Sequence, residues 1–483
     1  MTIDQVTILP LYAASGTAIL VLLVDLLVAR RPATHGALAL GGLATAVCAI
    51  VVGDSRPPTF CAGTECSWLP SPVAVVTAVL FAGLTVGVLA LSVPSLRLGA
   101  APAGEFCFLL ASSMTGGVVV AYAGDLISLI VGLETLTLPL YILVGLRRFA
   151  PRERVSTAGA SASITFFLIS VISTAVALLG AALNYAATGA LHFGHLIGGF
   201  GPMLPVAQVG VALLVIGFAF KVAAVPLHAW APPTYEGAPL PVAAYLSTAS
   251  KLGGVLALAA IVSRLEAAPI TAALAVLTMT VGNLVALRQQ RMVRLLAWSS
   301  IAQAGYVLAA LALGGPGVQP AIVYAVFFMI LEFLAFATVV ALRPVAADGG
   351  DMRAYRGAGR RSPWLGAALV LAFAGLAGLP PGLIGLFAKV TVVDALINGG
   401  WGWLAGLVAL NAVIGLAYYV RATANLYAGP LKPGIQVLDP DLLERATHPR
   451  LPVSRSVAGA LIAAAAVAVV LGFAPQLLFD ALS

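Results

Sequence analysis

The chain has 483 residues, 61% hydrophobic and only 9% charged, with a mean hydropathy of +1.05. Soluble domains carry about 25% charged residues, so a water-covered globule is excluded and lipid is the solvent for most of the sequence. The net charge of +7 sits in short loops between apolar runs, a positive-inside pattern rather than a nucleic-acid-binding face.

The apolar runs lie at 7–29, 34–53, 72–92, 104–122, 125–146, 156–185, 206–231, 238–263, 268–287, 292–314, 319–342, 363–396, 401–428 and 454–479. Each is read as one bilayer crossing, which needs about 20 apolar residues. The expected fold is an all-α membrane protein of about fourteen helices in a single polytopic domain. Residues 1–103 hold helices 1–3, 104–263 a first repeat, 268–428 a second repeat and 454–479 the last helix. The run at 156–185 is long for one span, so it tilts or extends past the membrane. No Lys or Arg precedes the first run, a poor signal-peptide start, so that helix is expected to be retained.

The basic residues test this count. Numbering the loops in order, odd loops and the helix start they adjoin hold 19 of the 25 Lys and Arg, among them Arg30, Arg97, Arg147, Arg288, Arg353, Lys432 and Arg450; even loops hold only Arg56 and Arg264. Odd loops are therefore assigned to the cytoplasm and both termini to the outer side. Cys61 and Cys66 fall in the second loop, on that oxidising side. A disulfide and two free thiols are both open readings for them. No CxxC pair exists among the four cysteines, so no iron–sulfur or zinc site is expected in this chain.

A charge at the bilayer centre costs about 2.5–3.5 kcal/mol on insertion scales. Glu134 in helix five, Lys221 in helix seven, Lys251 in helix eight and Lys389 in helix twelve sit near the middle of their runs. At roughly 1.5 Å per residue they share one depth, which suggests a polar line along the membrane plane. A buried lysine beside a movable acid gains or loses a proton as its neighbour changes, which arginine does not. The bland alternative is a fixed Glu134–Lys221 pair holding helices together, but buried pairs are poor stabilisers. Prolines mark the same places: Pro226 follows Lys221, and Pro380 and Pro381 precede Lys389. Proline breaks helices, and broken helices at membrane depth survive where protein or water satisfies the freed backbone. Helices seven and twelve are five apart and cross in opposite directions, which implies inverted five-helix repeats over helices 4–8 and 9–13.

Secondary positions follow. His228 lies seven residues after Lys221, about two helical turns, and so on a similar face. Ser299, Ser300, Gln303 and Tyr306 line the tenth run, where they hold water or bond neighbouring helices. Glu332 is a second buried acid. Arg421 is read as a structural counter-charge, and Asp25 and Asp394 lie nearer helix ends.

These residues resemble the antiporter-like subunits of respiratory NADH:quinone oxidoreductase and the related Mrp cation/proton antiporters. The resemblance is carried by GDLISLIVGLETLTLPLYIL (Gly124–Leu143), by the Lys221–Pro226–His228 segment with its PPTYEGAP loop, by RMVRLLAWSSIAQAGY (Arg291–Tyr306), and by the Pro-Pro helix ending at Lys389. It implies a proton-translocating membrane subunit, with Glu134 and Lys221 as the input pair, Lys251 as the central relay and Lys389 as the terminal exchange site. Lys389 sets the chain apart from M-type members, and its end after the fourteenth run from L-type members; it is most like the N-type. Many relatives have His where Gln303 stands, and a neutral residue where Glu332 stands. The implied partners are the other membrane subunits of a bacterial inner-membrane complex. FMN, iron–sulfur clusters and quinone belong to other subunits, and no cofactor or metal is expected in this one. A subunit of an Mrp-type sodium/proton antiporter is the alternative.

Overall fold

The computed structural model describes residues 3–28, 31–146, 154–196, 203–345, 347–429 and 453–482. The loop residues Arg30, Arg147, Arg148, Arg152, Lys432, Arg445 and Arg450 lie outside them. The chain runs as α1 (Leu9–Leu27), α2 (Arg31–Val52), a hairpin β1 (Thr59–Ala62) and β2 (Glu65–Trp68), α3 (Pro72–Arg97), α4 (Ala103–Tyr122), α5 (Leu126–Gly145) and α6 (Arg154–Thr188). It continues as α7 (Leu204–Lys221), α8 (Ala231–Gly237), α9 (Leu240–Tyr245), α10 (Lys251–Val262), α11 (Ala268–Ala286), α12 (Met292–Leu311) and α13 (Gly315–Leu342). The last elements are α14 (Ala358–Arg361), α15 (Pro363–Ala377), α16 (Leu383–Asn398), α17 (Gly402–Tyr427), α18 (Arg455–Phe473) and α19 (Gln476–Ala481).

Among the described residues, twelve helices are long and apolar enough to cross a membrane. The protein is an all-α, multi-pass membrane protein. Burial sorts the helices: within an apolar 18-residue stretch of each, 94% of the residues in Leu240–Val262 and 83% in α13 are buried, against 28% in α1 and α18. The outer helices present Leu26, Leu27, Val51, Ile172, Val413 and Phe473 to the surroundings, side chains that belong in hydrocarbon. The core therefore runs through α10 and α13, the helices that carry Lys251 and Glu332.

Local chemistry sets several helix starts. Asp125, at the N-cap of α5, accepts from the Ser128 backbone N at 2.8 Å and from the Ser128 hydroxyl at 2.8 Å. Ser71 caps α3 by accepting from Ala74 N at 3.1 Å. These caps satisfy backbone donors that lipid cannot. Asp125→Ala is expected to lower stability by about 0.5–2 kcal/mol, the usual value of such a cap, read as a lower unfolding temperature in detergent without loss of assembly.

The second loop is a hairpin, with Cys61 opposite Cys66 and the two joined by a disulfide. The third run extends to Arg97, with Pro94 in the last turn of α3, where its missing N–H costs the ladder a single bond near the helix end. The PPTYEGAP segment is not all loop: α8 covers Ala231–Gly237, since Pro232 and Pro233 stand in a first turn that needs no amide donors. The runs at 206–231 and 363–396 are interrupted, as their prolines imply: the first ends as α7 at Lys221, and the second is divided into α15 and α16 around Pro380 and Pro381.

Candidate functional site

The first site forms where α5, α6 and the end of α7 meet. The ammonium of Lys221, the last residue of α7, donates to Glu134 Oε1 at 2.8 Å, to Thr137 Oγ1 at 3.1 Å and to Ser170 Oγ at 3.0 Å. The Thr174 hydroxyl donates to the same carboxylate oxygen, and the Tyr141 hydroxyl donates to Ser170 Oγ at 2.5 Å. Lys221 is 3% exposed and Glu134 27%. The exposed edge of Glu134 lines an apolar groove of about 520 Å³ with Phe108, Ile130, Leu138, Thr174 and Leu178. The pair thus has one face inside the protein and one on its flank. Gly254 allows α10 to pass over it: a Cβ there would lie 2.8 Å from Lys221 Cβ and 2.9 Å from Val222 Cγ1.

The second site centres on Lys251, the first residue of α10, which follows a π-helical turn at Leu246–Ser250. Such turns are frequent at functional positions. Lys251 is 1% exposed and donates to Ser300 Oγ on α12 at 2.6 Å. Lys221 and Lys251 share no direct hydrogen bond.

The third site lies at the break between α15 and α16. Lys389 Nζ donates to the Leu376 carbonyl at 2.6 Å, one of the orphan acceptors at the end of α15. Gln303 Nε2 donates to that carbonyl at 3.1 Å and to the Tyr419 hydroxyl at 3.2 Å. Tyr419 also bonds Ser299, and Tyr324 donates to Gln303 Oε1. Lys389 Nζ stands 5.7 Å from the centre of the Tyr306 ring, within cation–π range. The Tyr306 hydroxyl accepts from Asn283 Nδ2 at 3.0 Å. Among the described residues Lys389 has no carboxylate partner.

Glu134 and Lys221 are therefore in contact, and Gln303, Tyr306 and Lys389 form one cluster. His228 is not joined to Lys221 by a helical face, because α7 ends at Lys221; it packs on Trp298 with ring centres 5.1 Å apart, and its Nδ1 is buried without a partner. Pro226 lies in the turn after Lys221, where Val225 N donates to Thr278 Oγ1 at 3.0 Å. Among the described residues Arg421 makes no ion pair with an acid; it donates to the carbonyls of Ala286, Leu287 and Gln289 at the end of α11 and just past it. Thr137, Ser170, Thr174 and Tyr419 were not singled out from the sequence. The spacing of Ser163, Ser170, Ser173 and Thr174 along one side of an apolar run was the available signal. Among the described residues no group of three or more His, Cys, Asp or Glu is arranged to hold a metal ion.

Ionisable side chains held deep among long apolar helices, beside interrupted helices, define a membrane subunit of the ion-translocating kind. A family model described as NADH:quinone oxidoreductase/Mrp antiporter, transmembrane, matches residues 123–415, and the chain belongs to that family. It is 56% identical to NADH-quinone oxidoreductase subunit N of Salinispora tropica, covering 99% of this chain and 98% of that one. It is 40% identical to subunit N 2 of Streptomyces griseus, over 89% and 84% of the two chains. Among solved structures, a chain of respiratory complex I from Thermus thermophilus superposes with a TM-score of 0.81 at 27% identity, covering 98% of this chain and 99% of that one. A chain of the Mrp complex from Dietzia sp. has a TM-score of 0.80 at 21% identity, over 99% and 95% of the chains, and shares the fold.

Proposed function

We propose that the chain is the N-type, proton-translocating membrane subunit of an NADH-quinone oxidoreductase, moving protons as NADH is oxidised and quinone reduced elsewhere in the complex. The observation that carries this reading is the Glu134–Lys221 contact at 2.8 Å, with its lysine buried, and with Lys251 and Lys389 each placed against a hydroxyl or a freed carbonyl further along the same interior. Glu134 and Lys221 load the path, Lys251 relays and Lys389 exchanges the proton with the outer side. Each lysine gives up an N–H proton and regains one as the charges and dipoles around it change. His228, Gln303, Tyr306 and Glu332 serve as accessory polar groups.

In this reading the chain crosses the bilayer fourteen times, with Met292–Leu311 as the tenth crossing and α15 with α16 as the twelfth. Helices 4–8 and 9–13 form inverted repeats, the interrupted helices seven and twelve being their counterparts. The membrane is a bacterial inner membrane, the odd loops face the cytoplasm, and both termini lie outside. The chain holds no redox centre, and FMN, iron–sulfur clusters and quinone are bound by its partner subunits.

Two measurements test the function. Purified from its native membrane, the protein is expected with NADH-oxidising and quinone-reducing subunits; recovery with small membrane subunits alone, together with sodium-driven proton exchange, would favour the Mrp alternative. Lys251→Met in the intact complex is expected to lower proton uptake by inverted vesicles per NADH oxidised, and unchanged pumping would count against the proposal.

A further inference from the structure

Glu332 stands out among the groups that the path above uses only loosely. It is a carboxyl on α13, flanked by Leu331 and Phe333, at 0% exposure. Both of its oxygens are buried and neither has a hydrogen-bond partner. An ionised carboxylate in such a place is among the most expensive groups a protein can hold, so its presence calls for a nearby charge. That charge is Lys251, whose electrostatic influence reaches Glu332 across the α10–α13 contact. The Tyr235 and Tyr419 hydroxyls lie within the same reach.

The arrangement differs from that of a structural ion pair. Glu134 and Lys221 are closed on one another at 2.8 Å. Lys251 and Glu332 make no salt bridge, although Lys251 spends its ammonium on a single hydroxyl, Ser300. Lys251 thus has donors to spare, and Glu332 has two buried acceptors without partners on the helix packed against α10. Beyond Glu332, Tyr419 leads to Gln303, and Gln303 shares the Leu376 carbonyl with Lys389. Glu332 therefore sits between the central lysine and the terminal one.

We propose that Glu332 is the proton acceptor of Lys251, forming a second acid–lysine pair that closes transiently during transport; this rests on the proton-carrying reading above. In the step, an N–H bond of the Lys251 ammonium breaks and an O–H bond forms on Glu332, leaving a neutral amine and a carboxylic acid. No electrons are exchanged. The carboxyl then releases the proton toward the Tyr419–Gln303 end and Lys389, and Lys251 is reloaded from the Lys221 side.

The experiment compares Glu332→Gln, Glu332→Met, Glu332→Asp and Lys251→Met in the whole complex. It reads proton uptake by inverted vesicles against NADH oxidation, with assembly checked by native electrophoresis. Positioned proton-transfer groups contribute roughly 10²-fold or more to their steps, so both neutral variants are expected to lose about tenfold or more in coupled proton uptake. Glu332→Asp is expected to recover much of it. A carboxyl stretching band in turnover infrared difference spectra is expected in the parent complex and absent from Glu332→Gln. If Lys251→Met loses pumping while Glu332→Gln pumps as the parent does, this inference is overturned and the function stands. If Lys251→Met also pumps normally, the functional reading falls, and the inference with it. If both neutral variants fail to assemble while Glu332→Asp assembles, the carboxyl is structural and the inference is overturned.

Discussion

Lys221→Met is expected to abolish coupled proton transfer and, separately, to destabilise the protein. The ammonium donates to Glu134, Thr137 and Ser170, so its removal strips the carboxylate of its counter-charge and leaves Thr174 as its donor. Breaking a buried ion pair from one side costs about 3–5 kcal/mol. Glu134 keeps 27% exposure toward the flanking groove, which puts the expected loss near the lower end, about 3 kcal/mol. The double variant Glu134→Gln with Lys221→Met removes the orphaned charge, so much of the stability returns while transport stays lost. Thermal unfolding in detergent reads the first effect and vesicle pumping the second. Full pumping by the single variant would take the pair off the path. A double variant no more stable than the single would show that the orphaned carboxylate is not the source of the loss.

The membrane architecture was legible because hydrocarbon imposes a strong rule: every crossing must be a long apolar run. The helices fall on the expected runs, and α6 keeps the length that marked it as unusual. What composition did not reveal was where α7 stops. Lys221 was placed on a continuing helix, and His228 two turns further along it. The chain instead turns at Val222 and Ala223, the latter at φ +59°, before Pro226 is reached. A residue at positive φ has no signature in an apolar sequence, so the helical-face argument for His228 failed there. The hairpin at Thr59–Trp68 was equally hidden, being too short and too mixed for period-two alternation to stand out.

At the site, charge was the readable signal and hydrogen bonding was not. Glu134, Lys221, Lys251 and Lys389 declared themselves because a charge in lipid demands a reason. Their partners are serines, threonines, tyrosines and one backbone carbonyl, residue types common in apolar helices for ordinary reasons. Tyr419 could not be separated from Tyr418 by sequence, yet Tyr419 meets Ser299 and Gln303, and Tyr418 donates to Asn283. The Leu376 carbonyl is a backbone atom, made available only because the helix ends there.

Lys389→Met is the counterpart of the Lys221 experiment and is expected to behave differently. Lys389 is 8% exposed and has no carboxylate beside it among the described residues. Its ammonium rests on the Leu376 carbonyl and near the Tyr306 ring, so it is a buried charge compensated by dipoles alone. Replacing even paired buried ions with apolar residues of similar volume is often neutral or stabilising by about 1–4 kcal/mol, and among the described residues Lys389 has no ionic partner whose attraction would be lost. Gln303 still donates to the Leu376 carbonyl, so the end of α15 keeps a partner. Methionine's flexible thioether suits a pocket where Gly378 already crowds Lys389 Cδ, a Cβ on that glycine falling 2.9 Å away. Lys389→Met should therefore unfold at the same or a higher temperature than the parent and yet fail to pump. A residue kept at a cost to stability, whose removal silences transport, is held for its exchangeable proton. Loss of stability with pumping intact would assign Lys389 to the packing of the broken helix instead.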